Sequence, residues 1–275
     1  MRRSIVANSL GAAALMSTSA LAGETLDRIM ASGVLVGASS DGFPPVAFLN
    51  ADNEFDGFDV DVLEIIAGRM GLEAEIVTPS WEAQVAGNWA DRWDIAVGSM
   101  TPTAARAEVL DFPAIYYYTP AVFIVHEDNT TVEEVSDLSG LVIGSCAACS
   151  YEDYLRHTLV IDAVGVPEFE FQVDPGEIRT YAGQGLPFDD LRLGDGVRID
   201  AVLTNLPTAR EAISEGLPFR IVEPPVFYEP LAIAIDKGDP ELAAEIAEIV
   251  AGMQEDGTLT ALSEEWFGVD LTQAD

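Results

Sequence analysis

The sequence predicts an α/β protein built as two lobes that two hinge strands connect. Short apolar runs alternate with helix-like segments in two successive series, which is the pattern of two sheets covered by helices. Residues 116–126 form a long β-rich run between the two series, and residues 226–235 form a second such run after them. Because both runs are long enough to pass from one compact unit into another, we expect the chain of 275 residues to cross between the lobes twice.

The first series supplies three strands and three helices. The strands are expected at residues 34–39, 72–77 and 95–98, and the helices at 57–71, 81–89 and 103–109. The longest helix is the clearest, because Val62, Ile66 and Met70 follow each other at helical spacing and Gly71 is typical of a helix end. Two prolines and a glycine make residues 41–45 a loop.

The second series repeats the alternation. Its strands are expected at 141–144, 169–173, 199–203 and 219–222, its helices at 151–159, 188–193 and 206–213, and two closing helices at 241–253 and 259–267. Strands joined through helices run mostly parallel, so each lobe is expected to hold a mostly parallel sheet flanked by helices. From this order we assign residues 23–125 and 226–275 to lobe 1, and residues 126–225 to lobe 2.

The first 22 residues have the composition of a secretory signal peptide. Arg2 and Arg3 precede an apolar run at residues 9–16, and residues 20–22 (Ala-Leu-Ala) form a small-residue cleavage site. No cysteine follows that site, and no later apolar run is long enough to span a bilayer. We therefore expect residues 1–22 to be removed and the protein to be exported into a bacterial periplasm.

The acidic composition excludes some classes of partner. Asp and Glu number 47 against 13 Lys and Arg, which gives a formal net charge of −34. A surface of this charge repels nucleic acid and acidic membranes, so we expect neither as a partner. Most of these acids are expected on the solvated surface, where they say little about function.

The two cysteines, Cys146 and Cys149, form a single Cys-x-x-Cys pair. One such pair is too small for a closed zinc site, and neither His126 nor His157 has metal-ligand spacing, so we expect no metal and no cofactor. An oxidising compartment favours a disulfide, with two free thiols as the alternative. A redox role would need a different strand–helix context.

A candidate anion site follows the third strand of the first series. Ser99, Thr101 and Thr103 offer hydroxyl donors, and Arg106 offers a planar fork of donors that matches a carboxylate. Open α/β sheets bind ligands beyond the carboxyl ends of their strands, where this stretch is expected to lie. The alternative interpretation is a capped helix whose arginine pairs with a nearby acid such as Glu108.

Four segments carry motifs that occur together in one known family. They are Gly57-Phe-Asp-Val-Asp-Val-Leu-Glu-Ile-Ile-Ala, Gly98-Ser-Met-Thr-Pro-Thr-Ala-Ala-Arg-Ala-Glu-Val-Leu-Asp-Phe, Arg198-Ile-Asp-Ala-Val and Asp256-Gly-Thr-Leu-Thr-Ala-Leu-Ser-Glu-Glu-Trp-Phe-Gly. In this order the chain resembles the bacterial extracellular solute-binding proteins of family 3, the polar amino-acid binding proteins of ABC importers. The resemblance implies a type II periplasmic binding protein fold, with a ligand held between the lobes.

The resemblance also implies roles for individual residues. The α-carboxylate of the ligand would bind Arg106, with backbone and hydroxyl donors from Ser99 and Thr101. Phe43 would cover the side chain of the ligand and Trp81 would form the opposite wall, although either aromatic would equally suit a lobe core. Closure of the lobes would exclude water and strengthen each polar contact.

Two positions depart from the family pattern. The Gly-Thr-Thr loop of the second lobe appears as residues 148–150 (Ala-Cys-Ser), in which Ser150 keeps one hydroxyl donor. An aspartate that pairs with the ammonium of the ligand is replaced by Asn205, whose amide offers an acceptor oxygen but no charge.

Three interpretations of Asn205 stay open. A neighbouring acid could supply the charge, with Asp189, Asp190 and Glu229 as candidates. The ligand could instead lack an ordinary α-ammonium, which is the interpretation that we favour at this point. Asn205 could also simply cap the helix that begins at Leu206.

The favoured function is a monomeric periplasmic solute-binding protein. It would capture a small carboxylated, nitrogen-containing solute and deliver it to the permease of an ABC importer. An enzyme on the same fold, similar to cyclohexadienyl dehydratase, is the alternative, but no Ser-His-Asp or Cys-His set is visible. A ligand-sensing module that feeds a receptor is a third hypothesis.

Overall fold

The computed structural model describes residues 24–163 and 166–273. Its strands are β1 (Val34–Ala38), β2 (Gly42–Phe43), β3 (Ala47–Leu49), β4 (Phe55–Asp56), β5 (Glu73–Val77), β6 (Ile95–Met100), β7 (Leu110–His126), β8 (Val142–Cys146), β9 (Glu177–Tyr181), β10 (Ala201–Asn205) and β11 (Phe219–Asp236). Its helices are α1 (Glu24–Ser32), α2 (Phe58–Met70), α3 (Trp81–Val85), α4 (Ala104–Ala107), α5 (Ser150–Leu155), α6 (Leu186–Leu191), α7 (Leu206–Ser214), α8 (Pro240–Glu255) and α9 (Thr258–Phe267), with a 3₁₀ turn at Val135–Leu138. The predicted signal peptide, residues 1–22, lies outside the described residues. In the part of the chain that is described, no helix is long and apolar enough to cross a membrane.

Eight strands form one continuous sheet in the order β5-β1-β6-β11-β7-β10-β8-β9, and β2, β3 and β4 form a small second sheet. On one side of the large sheet β1 runs parallel to β5 and β6, and on the other β8 runs parallel to β9 and β10. The long strands β7 and β11 lie antiparallel between these two groups. The structure therefore confirms the predicted α/β class, with two mostly parallel halves.

Strands β7 and β11 belong to both halves of the sheet. β11 pairs with β6 around Ala232, whereas β7 pairs with β10 from Ala121 to Val125. Between these regions, Glu229 of β11 lies opposite Thr119 of β7. One buried core surrounds α2 with the C-terminal helices and another surrounds α5 with β8 and β10, so each half has a core of its own.

Local sequence explains where several helices begin and end. Helix α2 ends at Gly71, which adopts a left-handed φ of 75°, as predicted. Helices α3 and α4 begin at hydroxyl caps, since Ser80 accepts from the backbone N–H of Ala83 and Thr103 accepts from that of Arg106. Because a cap fixes the first turn of a helix, it also fixes where that turn places its side chains.

One predicted strand is absent from the described sheet. Residues 169–173 run as irregular chain, and Phe169 and Phe171 pack against Tyr154 of α5. The Tyr154 hydroxyl accepts the backbone N–H of Gln172, so a side chain takes the place of a neighbouring strand. The edge of this half of the sheet is formed by β9 instead, which the sequence did not predict.

Other differences lie at the ends of elements. The helix predicted at residues 81–89 ends at Val85, because Gly87 and Asn88 adopt left-handed φ angles of 65° and 53°. The strand predicted at residues 219–222 and the second crossing predicted at 226–235 join into the single strand β11. Helix α1, before the first strand, was not predicted.

Candidate ligand-binding cleft

A cleft of about 450 Å³ lies between the two halves of the molecule, within the size range of small-molecule sites. Its inner end adjoins a second cavity of about 10 Å³, which is about the room that one water molecule needs. All seven residues predicted for the site line this inner cavity: Phe43, Trp81, Ser99, Thr101, Arg106, Ser150 and Asn205. The structure thus brings together residues that are far apart in the sequence, while their roles toward a ligand stay predictions.

Arg106 lies buried at the inner cavity, with only 6% of its surface exposed. Its Nη1 donates to the carbonyl of Thr101 at 2.8 Å, and its Nη2 donates to the carbonyl of Ala148 at 2.9 Å. Within the described residues no carboxylate lies at ion-pair distance from its guanidinium, so the alternative pair with Glu108 is not formed. Burial lowers the pKa of Arg106 to about 10, which leaves it charged at neutral pH.

Trp81 reaches across the cleft from α3. Its Nε1 donates to the Ala148 carbonyl at 3.0 Å, and its ring centre lies 5.1 Å from the guanidinium carbon of Arg106. The Ala148 carbonyl therefore accepts two donors from the opposite half. Ala148 lies between Cys146 and Cys149, whose predicted disulfide is confirmed, and its φ of 56° is left-handed.

Ser99 belongs to a buried network in the first half of the molecule. Its N–H donates to the Tyr116 hydroxyl at 3.0 Å and its Oγ donates to Asp59 at 2.9 Å, while the Tyr116 hydroxyl donates to the other oxygen of Asp59 at 2.6 Å. Burial raises the pKa of Asp59 to about 7, against the opposing effect of these hydrogen bonds. The polar groups of Ser99 are therefore already engaged by the fold.

Glu229 places a buried carboxylate at the inner cavity, on hinge strand β11, with 1% of its surface exposed. Thr101 and Ser150 donate their hydroxyls to its Oε2 at 2.6 and 2.7 Å, and the Tyr151 hydroxyl donates to its Oε1. Burial raises the pKa of Glu229, while these three hydrogen bonds and the charge of Arg106 act in the opposite direction.

Asn205 and Phe43 also serve the fold. The Oδ1 of Asn205 accepts the backbone N–H of Thr208 at 2.8 Å, so the helix-cap interpretation of this residue is formed in the structure. The acceptor oxygen of Asn205 is therefore used by α7. Phe43, in β2, is 4% exposed at the boundary of both cavities.

The three acids considered as replacements for the missing aspartate have different surroundings. Asp189 pairs with Arg192 at 3.0 Å, and Asp190 pairs with Arg198 at 2.9 Å. Neither of these two acids lines the inner cavity, whereas Glu229 does. The structure thus separates one candidate from the other two.

Tyr151 is a cavity residue that sequence analysis missed. Helix α5 begins at Ser150, so Ser150 and Tyr151 share its first turn and both reach Glu229. The signal available in the sequence was its position directly after the altered Gly-Thr-Thr motif. Within residues 24–163 and 166–273, no group of three or more His, Cys, Asp or Glu side chains could hold a metal ion.

Two α/β halves that share two crossing strands, with a buried cleft between them, define a bilobed solute-binding protein. The chain belongs to the bacterial extracellular solute-binding proteins, family 3, whose sequence profile matches residues 35–269. The L-cystine-binding protein TcyJ of Escherichia coli (strain K12) is 28% identical over 261 residues, which cover 94% of this chain and 92% of that protein. The L-arginine-binding protein of Pseudomonas aeruginosa is 25% identical over 235 residues, which cover 83% of this chain and 86% of that protein.

A solved structure shows the same fold. The ancestral amino acid-binding protein AncCDT-1, a precursor of cyclohexadienyl dehydratase, has a TM-score of 0.76 and 26% identity, and covers 88% of this chain and 99% of its own. These comparisons confirm the family and the type II periplasmic binding protein fold that the sequence motifs implied.

Proposed function

We propose that this protein binds a small carboxylated, nitrogen-containing solute, an amino acid or an amino-acid derivative, and delivers it to an ABC importer. The observation that carries the proposal is Arg106, a buried guanidinium at the inner cavity with carbonyl oxygens as its hydrogen-bond acceptors. In the described part of the chain no carboxylate lies at ion-pair distance from this buried cation, and a ligand carboxylate would supply such a partner. Relatives named for binding L-cystine and L-arginine support this ligand class.

The hydroxyls of Thr101 and Ser150 would add donors beside Arg106, as the family resemblance implies. Ser99 would contribute chiefly through the position of the strand end, because its N–H and Oγ are engaged by Tyr116 and Asp59. Phe43 and Trp81 would enclose the non-polar part of the ligand, and Asn205 would line the inner end. The adjoining cleft of about 450 Å³ would hold the side chain of the ligand.

The two halves would act as lobes that move about a hinge. The crossings are expected near residues 118–125 and 226–233, with the first segment of lobe 1 ending at residue 125, and residues 121–125 of β7 pair with β10 of the second half. We therefore place the two crossings near Thr119 and Glu229, where the central strands lie opposite each other. This division keeps each buried core within one lobe.

Contacts across the cleft support a closed arrangement. Besides the two donors on the Ala148 carbonyl, the Thr208 hydroxyl donates to the carbonyl of Pro44 at 3.2 Å, and the N–H of Ala104 donates to the carbonyl of Val160 at 3.0 Å. The inner cavity of about 10 Å³ is too small for an amino acid in this arrangement. We therefore infer that the lobes separate before a ligand enters.

The setting of this function would be a bacterial periplasm. The predicted signal peptide at residues 1–22 and the extracellular family support export, and the permease of an ABC importer in the inner membrane would be the partner. We propose that the protein acts as a monomer, because one chain supplies both walls of the cleft.

We propose binding without turnover rather than catalysis. The likeness to AncCDT-1, a precursor of cyclohexadienyl dehydratase, is the reason to test an enzyme alternative. Glu229 is the acid of the inner cavity, but it is tied to three hydroxyls. Mass spectrometry of the bound solute after long incubation would distinguish the two, because an enzyme would release a changed compound.

A thermal-shift screen of L-amino acids and other small zwitterions, followed by isothermal titration, tests the proposal. A solute at about a hundred times its dissociation constant should add about 2.7 kcal/mol to the free energy of unfolding. The variant Arg106→Ala should bind the best solute of the screen at least about 100-fold more weakly, because the carboxylate loses its charged partner.

The matched control is Arg69→Ala, since Arg69 pairs with Asp256 away from the cleft. This control should bind the solute like the wild type, and circular dichroism should show both variants folded. Wild-type affinity in a folded Arg106→Ala variant would contradict the proposed carboxylate site.

A further inference from the structure

Glu229 differs from the other buried acids of the molecule. Within the described residues the buried acids are Asp59, Asp94, Asp239 and Glu229. Asp94 pairs with Arg28 at 2.7 Å, Asp239 caps α8, and Asp59 is held inside the first half by the network around Ser99. Glu229 alone among these four lines the inner cavity.

On the basis of the proposed function, we propose that Glu229 pairs with the ammonium of the ligand and makes the site selective for zwitterions over simple carboxylates. The negative charge of the site would then come from hinge strand β11 rather than from the start of α7, where Asn205 stands. This assignment replaces the interpretation that the ligand lacks an ordinary α-ammonium.

The hydrogen bonds of Asn205 support this assignment. Its Oδ1 accepts the N–H of Thr208 at 2.8 Å, and that bond holds the first turn of α7. A cation at this oxygen would share it with the helix cap and would meet no negative charge there. Glu229 is the carboxylate that lines the inner cavity in the described part of the chain, so it is the acceptor there that can balance the charge of an ammonium.

The donors that hold Glu229 are replaceable. All four are hydroxyls, from Thr101, Ser150, Tyr151 and, at 3.5 Å, Thr119, and a hydroxyl can rotate its proton toward a second acceptor. Thr101 and Ser150 are also the predicted donors to the ligand carboxylate. When they turn toward that carboxylate, they release acceptor positions on Glu229 that an ammonium can fill.

The charges of the inner cavity lead to the same conclusion. Arg106 and Glu229 both line this cavity, so a zwitterion would find there one partner of opposite charge for each of its own charges, while Asp153 acts on Arg106 from outside the lining. A deaminated acid would place a second negative charge beside Glu229, and Arg106 would have to pair with both. An unpaired buried charge is strongly disfavoured. The pair of residues therefore recognises both ends of an α-amino acid.

The test compares amino acids with their deaminated analogues by isothermal titration. The probe pairs are L-arginine with 5-guanidinopentanoate, L-glutamine with glutaramate, and L-cystine with 3,3′-dithiodipropionate, each at fixed salt and pH. The proteins are the wild type, Glu229→Gln, which keeps the shape and removes the charge, and the matched control Glu177→Gln. Glu177 is an exposed acid that pairs with Arg179 at 2.7 Å and lines neither cavity.

For each pair that binds, the wild type should prefer the amino acid by at least about 100-fold. Glu229→Gln should reduce that preference by at least about tenfold. The variant should bind the amino acid more weakly than the wild type does, and it should bind the deaminated acid with equal or higher affinity. Glu177→Gln should keep the wild-type preference. If Glu229 had a merely structural role, Glu229→Gln would instead bind both members of each pair more weakly by the same factor, and that result would overturn the inference.

The wild type alone can also decide the question if Glu229→Gln does not fold. Equal affinity of the wild type for an amino acid and its deaminated analogue would overturn the inference and leave the proposed function intact. Failure of the wild type to bind any L-amino acid or small zwitterion of the thermal-shift screen would overturn the proposed function, and the inference with it.

Discussion

Two buried carboxylates, those of Asp59 and Glu229, have similar partners but different positions relative to the hinge. Each accepts hydrogen bonds from a tyrosine and from at least one aliphatic hydroxyl. The partners of Asp59 are Ser99 and Tyr116, which lie in the same half of the molecule as α2. They would therefore stay together when the lobes separate.

Glu229 has partners on both sides of the hinge. Thr101 follows β6 in the first half, whereas Ser150 and Tyr151 begin α5 in the second half. This network would be complete only in the closed arrangement. Under the proposed function, position relative to the hinge therefore decides whether a buried acid stabilises one lobe or responds to a ligand.

The largest expected effect concerns the stability contributed by Asp59. Burial raises the pKa of its carboxyl from the ordinary 3.8 to about 7, so between these values the folded protein holds a proton that the unfolded chain has lost. The contribution of Asp59 to the free energy of unfolding should therefore fall by about 2 kcal/mol as the pH rises from about 5.5 to about 8.5. Urea unfolding at several pH values measures this dependence.

Asp59→Asn is the control for this prediction, because the amide keeps the shape of the side chain and does not titrate. Its free energy of unfolding should lose this part of the pH dependence, whereas Glu229→Gln should keep it. An Asp59→Asn variant with the wild-type pH profile would show that the two carboxylates have been assigned the wrong roles.

An intermediate effect is expected when a second carboxylate is added at the hinge. Asn205 and Glu229 both line the inner cavity, so Asn205→Asp would bring a like charge to the network of Glu229. The affinity for the best amino acid of the screen should fall by about tenfold or more, because two buried carboxylates cannot both be ionised without cost. Isothermal titration at fixed salt measures the change.

Asn205→Ser separates charge from capping in this experiment. Serine is also a good helix cap, so this variant should keep the fold and bind within about threefold of the wild type. If Asn205→Asp bound a standard L-amino acid more tightly than the wild type, the ammonium would lie at position 205 and the distinction between the two acids would fail.

The smallest effect is expected from the disulfide. The bridge between Cys146 and Cys149 encloses Ala148, whose carbonyl accepts donors from the opposite lobe, and directly precedes Ser150. Replacing both cysteines by serine should weaken binding of the best amino acid by about threefold, because the loop becomes less fixed. Isothermal titration of the double variant, with mass spectrometry of the wild type to verify the bond, measures the effect.

The same double variant should leave the Asp59 network unchanged, since the loop lies in the other lobe. Its unfolding should therefore keep the pH dependence of the wild type. A loss of affinity above about 100-fold would show that the loop contributes to ligand binding as much as a buried charge pair does.

Sequence reasoning identified most of the cavity residues, because their motifs lie at strand ends and helix starts. Thr101 and Arg106 follow β6, and Ser150 begins α5. In a sheet of this class such positions meet at the same edge, so residues far apart in the chain could be placed together. Tyr151 was missed because a tyrosine in the first turn of a helix gives no sign of what it faces.

Hydrogen-bond partners were harder to predict than positions. The donors of Ser99 are engaged by Asp59 and Tyr116, and the acceptor of Asn205 caps α7, although both residues were expected to face a ligand. Which partner a side chain takes depends on groups that approach from other segments. The strand predicted at residues 169–173 failed for the same reason, since aromatic packing on α5 replaced sheet pairing.

The sequence by itself determined the α/β class, the two lobes and most residues of the cavity. These follow from hydrophobic periodicity and from motifs, which are local properties of the chain. Only the tertiary structure decided which of three candidate acids reaches the cavity. Asp189 and Asp190 are ion-paired outside it, whereas Glu229 is buried within it because the register of β7 and β11 places it at the crossing between the lobes.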